Sequence, residues 1–315
     1  MTSLSHLGKV FITGHAHPVL ASRLSNAGYT VVNDPTISRE ALMDCIHEAT
    51  GLILTTRITA DKELLEKGMQ LKWIGRLGSG MELIDTEFAK SIGIACYSSP
   101  EGNRLAVAEH ALGMLLSLLH RISSSHQEVQ KSIWLREENR GVELSGKTVG
   151  IIGYGNTGSE FARLLAPFQV KVLANDIVKK DFAQPYVFAA EIAQIKAEAD
   201  IISFHLPQTE LTLELANQSF FQGLKKSPIL INTSRGKVVD IPALLEALEN
   251  GYISGAALDV LPNEKLNTYT ALEKEWFNNL RLNPRVLLTP HIAGYSQESF
   301  LRMSTVLLKK LGLES

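Results

Sequence analysis

Cysteine is nearly absent from this chain: Cys45 and Cys96 are the two in 315 residues, and they are far apart. That scarcity excludes a disulfide framework and a thiolate metal site. It points to a reducing, cytoplasmic compartment with two thiols buried in apolar segments. An excess of charge is also missing. Against 31 lysines and arginines stand 33 aspartates and glutamates, for a net charge of −2, so no nucleic acid and no membrane surface is expected as a partner. Long hydrophobic runs are lacking too. The most apolar stretch, residues 111–119, is far short of the ~20 residues that cross a bilayer, and the N-terminus holds no apolar signal core. No solenoid-length repeat or low-complexity tract is visible.

What is present is ordinary globular material, 45% apolar and 20% charged, in a chain long enough for about two domains. Short β-branched runs at 10–13, 30–33, 51–55, 73–76 and 94–97 alternate with helix-period segments at 17–27, 38–49, 60–68 and 85–92. Pro18 and Ser38 suit helix starts, and Gly28, Gly68 and Gly93 suit helix stops. Strands separated by helices predict βαβ crossovers and a doubly wound parallel sheet. A single long helix is expected over 105–129, apolar first and polar later, followed by an aperiodic arm, 131–144, that carries Trp134 and is suited to packing on a partner subunit. A second βα series follows, with strands at 148–152, 171–175, 201–206, 229–232, 255–260 and 286–288. The amphipathic segment 296–313 is expected to return to the first domain. The resulting division is 1–103 with 293–315, and 104–292.

The second series opens with a strand entering Gly153-Tyr154-Gly155-Asn156-Thr157-Gly158. In a Gly-x-Gly-x-x-Gly turn the first glycine makes the tight bend, the second admits a pyrophosphate, and the third lets helix and strand pack closely. Phosphate would then rest on free N–H groups at a helix N-terminus. Asp176 ends the next strand, where a carboxylate can bind ribose hydroxyls and repel a 2′-phosphate. That favours NAD over NADP, with Lys179 and Lys180 as nearby cations that soften the preference.

Three later segments each end an apolar run: Asn232-Thr233-Ser234-Arg235-Gly236, Leu258-Asp259-Val260-Leu261-Pro262-Asn263-Glu264, and Thr289-Pro290-His291-Ile292-Ala293-Gly294. Singly, an arginine before glycine, a glutamate in a loop and a histidine after proline are most often surface polar groups. Together, downstream of a dinucleotide fingerprint and at strand ends, they match what oxidising a 2-hydroxy acid needs. Histidine, with an ordinary pKa of about 6.5, exchanges the hydroxyl proton. A carboxylate fixes the ring and stabilises its cation. Arginine's planar fork holds the substrate carboxylate.

With those segments in view, the chain resembles the D-isomer-specific 2-hydroxyacid dehydrogenases, whose members include D-3-phosphoglycerate, glycerate and D-lactate dehydrogenases. Gly75-Arg76-Leu77-Gly78-Ser79-Gly80, Val107-Ala108-Glu109-His110, the 142–153 lead-in, His205-Leu206-Pro207 and the three segments above occur in the family's order over nearly the whole length. The resemblance implies a flavodoxin-like substrate domain and a Rossmann NAD-binding domain, with Arg235, Glu264 and His291 catalytic. It implies NAD contacts around Ser79, Gly153, Tyr154, Gly155, Asn156, Thr157, Gly158, Asp176, His205, Pro207, Thr233, Ser234, Asp259 and Gly294. It further implies a substrate carboxylate at Gly78, Ser79 and Gly80, no metal, and a homodimer through the NAD-binding domain. Arg57 and Arg76 make 3-phosphoglycerate the first substrate to consider, with Arg57 as the phosphate contact. The chain departs from the family at Leu83, at Leu261 and in a shortened 55–59 loop, where substrate side chains are selected. Glyoxylate or hydroxypyruvate reduction and an NAD-sensing corepressor stand as alternatives, whereas Glu264 argues against formate oxidation. No regulatory domain is expected after His291.

Overall fold

Each expected βα alternation closes into a parallel sheet, because every strand is followed by a segment that carries the chain back along one face. The chain is seen in a computed structural model that describes residues 7–179, 181–182 and 184–313. Lys180 and residues 1–6 lie outside the described residues. Contacts divide the rest into two units, one up to Arg104 and from Gly294 onward, the other Leu105–Ala293.

In the first unit the strands are β1 (Gly8–Ile12), β2 (Tyr29–Asn33), β3 (Ala49–Leu54), β4 (Trp73–Arg76) and β5 (Ala95–Ser98), in the order β2-β1-β3-β4-β5. The central β3 is buried along its whole length, as a strand with both faces covered must be. The helices start on local chemistry. Ser38, Asp61 and Asp85 each accept a backbone N–H of the first turn, and Pro18 sits where its missing N–H costs nothing. The C-terminal helix Gln297–Lys310 packs on this unit. Leu307 is fully buried among Val10, Ile12, Leu20, Ile53 and Trp73. A Cβ at Gly75 would stand 2.6 Å from its Cδ2, so Gly75 lets helix and sheet meet.

The second unit holds β6 (Thr148–Ile152), β7 (Lys171–Asn175), β8 (Val187–Ala189), β9 (Ile201–Phe204), β10 (Ile229–Asn232), β11 (Gly255–Leu258) and β12 (Val286–Leu288), in the order β12-β11-β10-β9-β6-β7-β8. The chain winds outward from β6 to β8, then restarts at β9 and winds the other way. That makes β6/β9 the switch point at which doubly wound sheets bind ligands beyond their strands' carboxyl ends. The edge strand β8 was not expected. At three residues it is too short to display a period.

Two expectations are corrected. The helix over 105–129 is instead two helices, Pro100–Leu119 and Ile122–Gln130, bent by 61°. Arg121 adopts a left-handed φ of 52°, which ends the first helix, and the Ser124 and Ser125 hydroxyls donate to its carbonyl to begin the second. The thiols of Cys45 and Cys96 are half-buried rather than buried. Burial pushes both thiols' pKa up, which disfavours the reactive thiolate. Among the described residues no single helix is long and apolar enough to cross a membrane, although the bent pair would pass on length and composition. Its Ala111, Met114 and Leu115 are buried in the second unit's core.

Truncating Leu307 to alanine should lower stability by about 2–5 kcal/mol, read as a lower urea midpoint with an unchanged slope. An unchanged midpoint would show that the terminal helix is not part of the cooperative unit.

Candidate active site

The switch point is built as a cradle. Gly153 has a left-handed φ of 95°, and a side chain there would strike the carbonyl of His205. A Cβ at Gly158 would strike the carbonyl of Gly153, whereas one at Gly155 meets nothing within 4 Å. The third glycine is therefore required for packing and the second faces open space. Helix Asn156–Leu165 starts there with no side-chain cap, so the N–H groups of Asn156 and Thr157 stand at a positive helix end suited to phosphate. Asp176 follows β7. Its Oδ2 accepts from Tyr154 N–H at 2.7 Å, and its Oδ1 from the N–H groups of Val178 and Lys179 at 2.8 and 2.9 Å. Burial pushes its carboxyl pKa up, but those N–H donors and the Lys179 charge outweigh it and hold the group below its ordinary value. The Thr233 hydroxyl is buried without a hydrogen-bond partner. These residues fit a dinucleotide. His205, after β9, is buried, with Nε2 2.8 Å from the Ser203 hydroxyl and Nδ1 unpartnered. Pro207 accepts from Thr212 at 2.7 Å.

The loops after β10, β11 and β12 lie side by side, since those strands are neighbours. Asn232 shapes the first: its Oδ1 accepts from the Ser234 N–H and hydroxyl, and its Nδ2 donates to the carbonyl of Arg235 at 2.9 Å. Arg235 donates to the Ser234 carbonyl. A side chain at Gly236 would collide with the backbone of Leu261 and Pro262, so this loop rests directly on the next. In that second loop Asn263 donates to Glu273 at 3.0 Å and its carbonyl accepts from Tyr269 Oη at 2.8 Å. The bracing supports Glu264, whose Oε2 stands 2.8 Å from His291 Nδ1. Both side chains are a little over two-fifths exposed.

Asp259, 1% exposed, ties the second loop to the third. Its Oδ1 accepts from Thr289 Oγ1 at 2.6 Å and Ile292 N–H at 2.9 Å, its Oδ2 from Ala293 N–H at 2.9 Å, and its carbonyl from His291 N–H at 2.7 Å. His291 consequently has a left-handed φ of 55°. Asn232 and Thr289 were not singled out from the sequence. A polar residue ending a strand or directly following one, able to bond nearby backbone, was the available signal.

Gly78, Ser79, Gly80, Arg57 and Gly294 belong to the first unit. Gly78 donates its N–H to Ser99 Oγ at 3.0 Å, and Ser79 Oγ donates to Asn103 Oδ1 at 3.1 Å. Arg57 spends its guanidinium on the carbonyls of Thr13, Pro35, Thr36 and Ile37. Arg76 is buried and donates to the carbonyl of Leu77. In the second unit a cavity of about 540 Å³ opens at the opposite, amino edge of the sheet, lined by residues such as Lys147, Ile229, Gly255 and Val286. Within the second unit it lies at the other end of the strands from the loops that follow β10, β11 and β12.

Residues 112–293 match the model of the family described as D-isomer specific 2-hydroxyacid dehydrogenase, NAD binding domain. The chain is 34% identical over 84% of its length to a D-3-phosphoglycerate dehydrogenase of Synechocystis, covering 46% of that protein. It is 32% identical over 87% of its length to one of Archaeoglobus fulgidus, covering 51% of it. The chain thus spans about half the length of these curated relatives. Among solved structures it resembles the TT0316 protein of Thermus thermophilus, with a TM-score of 0.84, 28% identity and coverage of 97% and 96% of the two chains. It also resembles a D-lactate dehydrogenase from Aquifex aeolicus complexed with NAD and lactic acid, with a TM-score of 0.83, 27% identity and coverage of 96% and 94%.

Burial lowers the His205 pKa from 6.5 to about 3, so this ring is neutral in the native chain wherever the unfolded chain's histidine begins to charge. Between those values the unfolded state binds more protons, and His205's contribution, complete above about pH 6.5, is lost as pH falls toward 3. The urea midpoint of the parent should therefore fall more steeply from about pH 7 to about pH 5 than that of His205→Gln. Parallel slopes would contradict the neutral, buried ring.

Proposed function

Because the chain belongs to the D-isomer specific 2-hydroxyacid dehydrogenase family, we propose that it transfers hydride between C2 of a D-2-hydroxy acid and NAD. His291 serves as acid–base, Glu264 as its partner and Arg235 as the orienting cation. The observation that carries this reading is the 2.8 Å contact between His291 Nδ1 and Glu264 Oε2. An ionised carboxylate only accepts, so Nδ1 carries a proton and Nε2 presents its lone pair to a substrate hydroxyl. NAD, when bound, accepts or returns the hydride. As hydride departs, Nε2 takes the hydroxyl proton and Glu264 stabilises the resulting imidazolium. In the reverse direction the same nitrogen returns the proton to the developing alkoxide. Arg235 holds the carboxylate and favours the carbonyl product. The 153–158 turn and Asp176 hold the dinucleotide, and the Asp176 carboxylate disfavours a 2′-phosphate.

The names of the curated relatives support 3-phosphoglycerate as the first acid to test. Arg57, occupied by backbone carbonyls, adds no support for a phosphate. Other short 2-hydroxy or 2-keto acids, glyoxylate and hydroxypyruvate included, belong on the same panel. With two free thiols, a cytoplasmic setting fits the chain.

Purified protein should change nicotinamide absorbance with at least one such acid, and His291→Asn or Glu264→Gln should lower kcat by roughly 10²–10⁴-fold with folding intact. An inactive parent across the panel, or variants as active as the parent, would refute the assignment.

The protein is proposed to act as a homodimer through its NAD-binding unit. Ile122 and Val129 of the second bent helix and Ile133, Trp134 and Leu135 of the arm leave large apolar side chains in solvent, Trp134 at 80% exposure. Apolar surface gathered on one segment marks an interface. Light scattering should give twice the chain mass, and Trp134→Arg should shift the protein toward monomer. A parent that is monomeric at assay concentration would overturn the dimer.

A further inference from the structure

His110 lies on the helix Pro100–Leu119 within the second unit, well over a hundred residues before Asp259, Glu264 and His291 in sequence. Its Nε2 is 3.0 Å from Thr289 Oγ1 and 3.6 Å from Asp259 Oδ1. The Thr289 hydroxyl has one hydrogen, and at 2.6 Å from an Asp259 oxygen that hydrogen has only one sensible destination. Were the hydroxyl to donate to His110 instead, two acceptors would face each other at that distance inside a nearly solvent-free site. The Met114 sulfur, 3.8 Å from the same hydroxyl, is too weak an acceptor to compete with a carboxylate. The hydroxyl therefore accepts from the ring, and His110 Nε2 carries a proton. The chain of donors runs one way, from His110 to Thr289 to Asp259.

At its far end sits the catalytic histidine. Asp259 receives the N–H groups of Ile292 and Ala293 on its carboxylate and that of His291 on its carbonyl, and those bonds hold His291 in its left-handed conformation. We propose that His110 is a positioning residue for the reaction. Through Thr289 it fixes the rotamer of Asp259, and through Asp259 it fixes the backbone that aims the His291 imidazole. This inference rests on the function proposed above for His291. The ring itself is 22% exposed and need not touch substrate for the effect. A loosened Asp259 would let residues 289–293 relax toward ordinary φ and swing the imidazole off its line, which lowers turnover more than it weakens binding.

Two measurements test the proposal. In the first, His110→Phe keeps the ring's bulk and removes the donor, whereas His110→Gln restores an N–H of similar reach. The Phe variant should lose about tenfold in kcat while KM for the keto acid stays within about twofold, and the Gln variant should recover most of that loss. Thr289→Val should behave like His110→Phe, and the double variant should be no worse than either single one, because one chain is broken only once. A Phe variant with parental kcat, a loss carried by KM alone, no rescue by Gln, or losses that multiply in the double variant would overturn it.

The second measurement does not depend on turnover. With 15N-labelled histidine, the His110 signal, identified by its disappearance in the Phe variant, should show a protonated Nε2, and Thr289→Val should move the His291 resonances. A bare Nε2, or His291 signals indifferent to Thr289, would refute the chain of donors even in an active enzyme. If the parent moves no hydride with any acid, the proposed function fails while this spectrum still decides the geometry.

Discussion

A buried carboxylate that reaches across two loops holds this site together. Asp259 is almost wholly removed from water, a placement that is tolerable only because a hydroxyl and two backbone N–H groups surround its oxygens. Those charge-assisted bonds offset the roughly 1–2 kcal/mol that a non-glycine residue loses in the left-handed region. His291 can then occupy a backbone conformation it would not choose alone. In that conformation the imidazole meets Glu264.

The same economy of backbone recurs around the carboxyl edge of the seven-stranded sheet. Gly236 brings the arginine loop onto the glutamate loop, and Gly158 brings the nucleotide helix onto its strand. In each case a single added carbon would collide with backbone and force the two elements apart. A parallel sheet supplies the coarse convergence, because all its strands end on one side. The glycines and Asn232 supply the last ångström. The amino edge carries a cavity of about 540 Å³ lined by other residues, Lys147 and Gly255 among them, and by none of these loops.

Much of this was legible from residues alone. The fingerprint 153–158 and Asp176 announced the cradle through spacing, since turn geometry and close helix packing depend on neighbours in sequence. Arg235, Glu264 and His291 were legible as strand-end residues, and the contact of the last two is the one side-chain pairing the reading required. The break at Arg121 was not legible: apolar periodicity continues across it, and only a left-handed backbone and two serine hydroxyls interrupt the helix. Arg57 read as a free cation because sequence cannot show that four carbonyls from distant turns would surround it.

By itself the sequence determined the alternation of strands and helices, the dinucleotide turn and the residues proposed as acid–base machinery, all read from local spacing and side-chain chemistry. Tertiary structure alone decided that Asp259 clamps the backbone of His291, that Thr289 and His110 stand behind it, and that Arg57 braces turns. Each depends on residues dozens to well over a hundred positions apart meeting within hydrogen-bond distance. Such meetings are fixed by how strands are ordered and helices packed, which no local pattern encodes.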